Sequence, residues 1–72
     1  MSRPKKRSLT LHGHRTSVSL EDEFWDAFTQ IAEIKGKSIN ALAAEIDADR
    51  VLKSGLAGAI RLYVLAWYQA RL

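Results

Sequence analysis

The chain has 72 residues and a mass of 8.1 kDa, 47% of it is hydrophobic, and it contains no cysteine. One domain of this length buries only about 60% of the surface its unfolded chain exposes, so a monomeric core is marginal. Disulfides and thiolate metal sites are excluded, which leaves association with a second copy as the expected remedy for so much apolar surface.

A charged fraction of 26% beside this apolar content is not that of a disordered tail. No apolar run approaches the roughly 18 residues that span a bilayer. The most apolar stretch, Leu56 to Tyr68, is broken by Arg61. The basic start, Met1 to Ser8, is followed by no signal-peptide apolar region, so a cytoplasmic protein is expected.

The net charge of +3 is unevenly placed. Arg3, Lys5, Lys6, Arg7 and Arg15 precede the first acid, Glu21, whereas acids outnumber bases from there on. This pattern predicts a flexible basic arm over residues 1–7 and a near-neutral domain over residues 8–72. The arm has two readings, a polyanion contact or a solubilising tail.

In chain order, Ser8 to Leu20 alternates apolar and polar residues as strands do. Leu9 and Leu11 are out of phase with Val18 and Leu20, and Gly13 between them marks a bulge or bend. The expected functional strand is therefore the second half, Arg15 to Leu20. Its Val18 and Leu20 face the core, and Arg15, Ser17 and Ser19 face away.

Glu21, Asp22 and Glu23 suit a first helical turn, and Phe24, Phe28, Ile31 and Ala32 follow at helical spacing. Lys35 and Gly36 supply the stop. Ser38 is a good N-cap for a second helix with the stripe Ile39, Leu42, Ala43 and Ile46. Continuing that stripe would turn Asp49, Arg50 and Lys53 inward, so this helix is expected to end near Asp47, with Ala48 to Ser54 as a connection. Ser54 then caps a third helix, about Gly55 to Ala70. It carries one stripe of Leu56, Ile60, Tyr63, Val64 and Trp67 and a second of Leu62, Leu65 and Ala66. Two apolar faces need two packing partners. The expected core is Val18, Leu20, Phe24, Phe28, Ile31, Leu42, Ile46, Ile60, Val64 and Trp67. The fold class is mainly α with one short β-strand.

A lone strand leaves both backbone edges unpaired, and pairing with its copy in a dimer completes it. Here the chain resembles the ribbon-helix-helix DNA-binding family of Arc and methionine-repressor type. The resemblance is carried by Arg15-Thr16-Ser17-Val18-Ser19-Leu20-Glu21, by the helix opening Glu21-Asp22-Glu23-Phe24-Trp25, and by Gly36-Lys37-Ser38-Ile39-Asn40. HGHRTSVSLEDEFWDAF and AIRLYVLAWY are similar to a group of short bacterial ribbon-helix-helix proteins.

The resemblance implies an intertwined homodimer with a two-stranded antiparallel intersubunit ribbon, here with an extra C-terminal helix. It implies sequence-specific binding of double-stranded DNA, with the ribbon in the major groove, by a bacterial transcription regulator of repressor type at the nucleoid. The family's three base-facing ribbon positions match Arg15, Ser17 and Ser19. Its phosphate-binding start of the second helix matches Ser38, Ile39 and Asn40, and Arg3, Lys5, Lys6 and Arg7 are further phosphate candidates. The interruption over Asp47 to Gly55 departs from the family's single long second helix.

Other readings are weaker. His12 and His14 lie on alternate strand positions but lack the further ligands a metal needs, so they are candidate DNA contacts and neither metal nor cofactor is expected. The aromatic residues fall at core spacing rather than on a stacking strand. No nucleophile-base constellation or phosphate-cradling loop points to an enzyme. The rival class is an antitoxin-like interaction module whose helix Gly55 to Leu72 docks a partner protein. Exposure of Leu62, Leu65 and Leu72 as a patch would favour a partner or a higher assembly.

Overall fold

The computed structural model describes residues 2–49 and 55–72. Two strands, β1 (Lys5–Leu11) and β2 (His14–Leu20), form an antiparallel hairpin. Helices α1 (Asp22–Ile34), α2 (Ile39–Asp49) and α3 (Leu56–Gln69) follow. The expected order of ribbon, helix, helix and further helix is present.

The ribbon itself is built differently from the expectation. Among the described residues there are two strands, not one, and both come from the same chain, so the two-stranded sheet needs no second subunit to exist. The phase break at Gly13 is a turn rather than a bulge. His12 has φ 52° and Gly13 has φ 79°, positive at both central positions as a type I′ turn demands. Glycine takes this conformation freely, and histidine is among the residues that tolerate it. Leu11 pairs with His14 across the turn, and the register continues to Lys5 opposite Leu20. Every pair therefore joins an odd-numbered to an even-numbered residue. That is why out-of-phase Leu9, Leu11, Val18 and Leu20 share one face and are all buried.

Energetics favour this arrangement. A strand on its own would present Val18 and Leu20 to the core, whereas the hairpin adds Leu9 and Leu11. Burying two more leucines contributes roughly 3–6 kcal/mol. This is large against a typical net stability of about 5–15 kcal/mol.

The aliphatic face of the hairpin lies on one core formed with Phe28, Ile31 and Ala32 of α1, Leu42, Ala43 and Ile46 of α2, and Ile60 and Val64 of α3. Phe24 and Trp67, expected inside, are partly buried against it. Helix α1 ends in a Schellman motif. Gly36, at φ 68°, donates to the Glu33 carbonyl, and the Lys37 amide donates to that of Ala32. Helix α2 runs two residues past the expected end, to Asp49. Most of the expected connection, residues 50–54, and the proposed cap Ser54 lie outside the described residues. Gly55 instead occupies the position before α3, in extended conformation, and its carbonyl accepts from the Ala59 amide.

The basic start of the chain is also not a free arm. Lys5, Lys6 and Arg7 form the first part of β1. Glu21, the N-cap residue of α1, makes no side-chain cap bond. Ser2 supplies one from a distance: the Asp22 amide donates to Ser2 Oγ (2.9 Å), and that hydroxyl donates to Glu23 (2.8 Å). Lys5 and Arg7 both bind the Asp22 carboxylate. The Arg7 guanidinium also lies 5.4 Å from the centre of the Trp25 ring. Its Nε is buried without a hydrogen-bond partner.

These contacts hold three carboxyls below their ordinary pKa. Asp22 is lowered by its bonds from Arg7 and Lys5, Glu23 by the Ser2 hydroxyl, and Glu21 by its own backbone amide and by Arg61. A depressed folded-state pKa contributes stability above the unfolded carboxyl range of about 4, and that stability is lost as pH falls through the folded values. The urea midpoint should be flat from neutral pH to about pH 5 and fall below about pH 4. Asp22→Asn should lower the midpoint at neutral pH and flatten the acid limb. At the turn, Gly13→Ala should lower stability by about 1–2 kcal/mol in the same titration. His12→Asn, which makes the preferred Asn-Gly dipeptide, should raise it.

Candidate nucleic-acid interface

Opposite partners on an antiparallel ladder project to the same side. The face of the hairpin turned away from the core is thus made of the pairs Thr10–Arg15, Ser8–Ser17 and Lys6–Ser19. All of these residues are exposed. The face is polar throughout, with two cations and no acid. Arg15, Ser17 and Ser19 do point away from the core, as expected from β2 alone. Ser8 and Thr10 were not among the expected contacts, and Lys6 joins the same face. Their signal was present in the sequence: Lys6, Ser8 and Thr10 alternate with the apolar set, and His12-Gly13 is a turn dipeptide.

Rigidity comes from behind. Four buried aliphatic residues anchor the ribbon, so the outer side chains stand on a fixed pleat rather than on a loop. The hairpin edges are also held. On the β1 edge, the Thr10 amide donates to Asn40 Oδ1 at 3.0 Å. On the β2 edge, the Arg61 guanidinium donates to the Ser19 carbonyl at 3.1 Å while binding Glu21 at 2.9 Å.

The Asn40 bond fixes the start of α2 beside the Thr10–Arg15 end of the polar face. Ser38 caps this helix, as the sequence predicts: its Oγ accepts from the Ala41 amide at 3.0 Å, and its carbonyl accepts from Leu42. The amides of Ile39 and Asn40 are the first two of the helix and have no intrahelical acceptor. The three candidate phosphate residues therefore differ in what they offer. Ser38 and Asn40 have side-chain oxygens engaged in local structure, and the Ile39 side chain packs against the core. What remains for an anion is backbone N–H and the positive end of the helix dipole.

The candidate cations also separate. Lys5 and Arg7 lie on the core side of the ribbon and pair with Asp22. Arg3, Lys6 and Arg15 are exposed and form no ion pair among the described residues. His12 sits in the turn and His14 at the start of β2, opposite Leu11, so they are not alternate residues of one strand. Among the described residues, no three His, Cys, Asp or Glu side chains come together as a metal site. No helix among them is long and apolar enough to cross a membrane.

A hairpin ribbon with an aliphatic inner face and a polar outer one, followed by two helices of which the second starts at its edge, defines a class of small domain. A family model described as Ribbon-helix-helix domain matches residues 4–68, and the chain belongs to that family. Domains of the family are generally those of DNA-binding transcription regulators, typically non-enzymatic, and they generally bind DNA as dimers. No curated protein and no solved structure gives a significant match to the chain.

The Asn40 tether is testable on its own. Asn40→Ala should destabilise the fold by about 1 kcal/mol, the usual net worth of such a bond. It should also speed hydrogen exchange at the Thr10 amide, while Asn40→Asp, which keeps the acceptor oxygen, should retain the protection.

Proposed function

We propose that the protein is a homodimeric transcription regulator of the bacterial cytoplasm that binds duplex DNA sequence-specifically, with the outer face of its hairpin in the major groove. The observation that carries this reading is the composition of that face: directly opposed polar side chains with two cations and no acid, on a ribbon anchored from behind. Strands spaced about 4.8 Å apart fit a groove about 12 Å wide.

The roles follow from chemistry. Arg15 offers a bidentate donor pair to guanine, and Ser17 and Ser19 donate to or accept from several bases. Ser8 and Thr10 widen the same readout surface. Lys6 and Arg3 contact phosphate, and the amides at the start of α2 hold a backbone phosphate beside the Thr10–Arg15 end. Lys5 and Arg7 contribute mainly by holding the ribbon to α1, because Asp22 already neutralises part of their charge. His12 and His14, near the hairpin tip, are further candidate phosphate contacts.

Binding to a pool of random duplexes at several salt concentrations tests this reading. The observed association constant should fall steeply with salt, by a slope of about −0.9 for each phosphate neutralised. Arg15→Ala should cost about 1–3 kcal/mol of discrimination at its base pair. Lys6→Ala should weaken all duplexes alike and flatten the salt slope, and Lys5→Ala should do so less. An intact, folded dimer with no affinity for any duplex at low salt would refute the proposal.

A further inference from the structure

The two strands of the hairpin, KKRSLTL and HRTSVSL, are near copies of one another. Laid over each other in chain direction, Lys6 falls on Arg15, Ser8 on Ser17, Leu9 on Val18, Thr10 on Ser19 and Leu11 on Leu20. The register turns this repeat into a symmetry. An antiparallel ladder has a local twofold axis, normal to the sheet, through the middle of each residue pair. Ser8 pairs with Ser17 at the centre of this ladder, and the half-turn about that pair exchanges the same residues that the repeat matches. On the outer face it carries Lys6 to the corner held by Arg15, and Thr10 to the corner held by Ser19.

Packing accounts for only part of the repeat. Both strands lay one face on the core, so apolar Leu9 and Leu11 must match apolar Val18 and Leu20. Nothing in the core requires a cation to match a cation, or a hydroxyl a hydroxyl, at the outward positions, all of which are exposed. On the inner side the likeness breaks down where structure intervenes: Arg7, which binds Asp22, falls on Thr16. The repeat is thus kept on the face that the core does not shape. The edges are held at related residues as well, the Thr10 amide by Asn40 and the Ser19 carbonyl by Arg61.

We propose that the hairpin of one chain is a complete, two-sided reading head, and that the duplex element it selects is a short inverted repeat made directional by Arg15. This rests on the major-groove reading of the outer face and not on how many chains assemble. The symmetry of a site mirrors that of the protein surface that reads it. Ser8 and Ser17, like Thr10 and Ser19, present the same hydroxyl chemistry to the two DNA strands. The corners break the symmetry. The Arg15 fork donates two parallel hydrogen bonds to one guanine, whereas the Lys6 ammonium is a compact point charge. One end of the element therefore carries a selected guanine, and the other end has the same geometry without it. A ribbon of two identical strands would select guanine at both ends or at neither.

Selection of duplexes from a random pool, with the full-length chain and its variants, tests the proposal. Both corner residues are exposed and form no ion pair among the described residues, so their substitution should leave the urea transition unchanged. Lys6→Arg should add a second guanine, at the opposite end and on the opposite strand, and make the selected element palindromic. Arg15→Lys should lower the preference for the original guanine roughly tenfold. Combining Arg15→Lys with Lys6→Arg should restore it, because the half-turn puts the new arginine where the old one stood. A Lys6→Arg chain that gains no second guanine, or a double variant that recovers none, would overturn the inference and leave the major-groove reading in place. A folded chain that binds no duplex at low salt would overturn both.

Discussion

The two-residue turn at His12-Gly13 is the constraint on which the rest of the molecule depends. With Leu11 directly opposite His14, odd residues of β1 share a face with even residues of β2. A register slip by one residue would send an apolar set to solvent and a polar set to the core. The turn thereby creates two things at once: the aliphatic floor on which three helices pack, and the polar outer face that faces a groove in the proposed function. Neither exists on β2 alone, because a single strand supplies only two of the four buried aliphatic residues and half of the polar surface.

Charged side chains then join the ribbon to the helices and, in doing so, sort the cations. Asp22 takes Lys5 and Arg7 to the core side of the hairpin, and Glu21 takes Arg61 to the β2 edge. These pairs are partly exposed, so each contributes modestly, and their weight lies in geometry more than in energy. They leave Lys6 and Arg15 as the positive charges of the outer face. The acidic run that begins α1 is thus structural twice over. It suits the positive end of the helix dipole, and it pairs with basic residues on the core side and at the β2 edge of the hairpin.

The small size of the chain sets the remaining problem. A domain this short has one core, and α3 contributes one stripe to it. The other stripe, through Leu62 and Leu65, has the spacing of a seam and no place in that core. The hairpin pairs its two strands within one chain, and the exposed stripe is apolar surface left outside the core. The apolar excess seen in the composition thus lies largely on one helix face.

The sequence by itself determined the helices, their limits to within a couple of residues, and much of the apolar interior. Helical periodicity, Gly36 and Ser38 are local signals that act within a few residues. It also determined which residues of β2 face outward, because alternation along a strand is local. The tertiary structure decided the partner of that strand. Periodicity shows that Leu9 and Leu11 are out of phase with Val18 and Leu20, but a bulge and a turn both produce that shift. The choice between them depends on what the two segments bury together, and that is a property of the packed core. The same holds for the basic residues. Charge along the chain suggests a free arm, whereas pairing with β2 makes Lys5 to Arg7 the start of the first strand, and Asp22, distant in sequence, binds Lys5 and Arg7. Ser38 is legible as a cap from its type and position, whereas only packing shows that Asn40 holds the edge of β1.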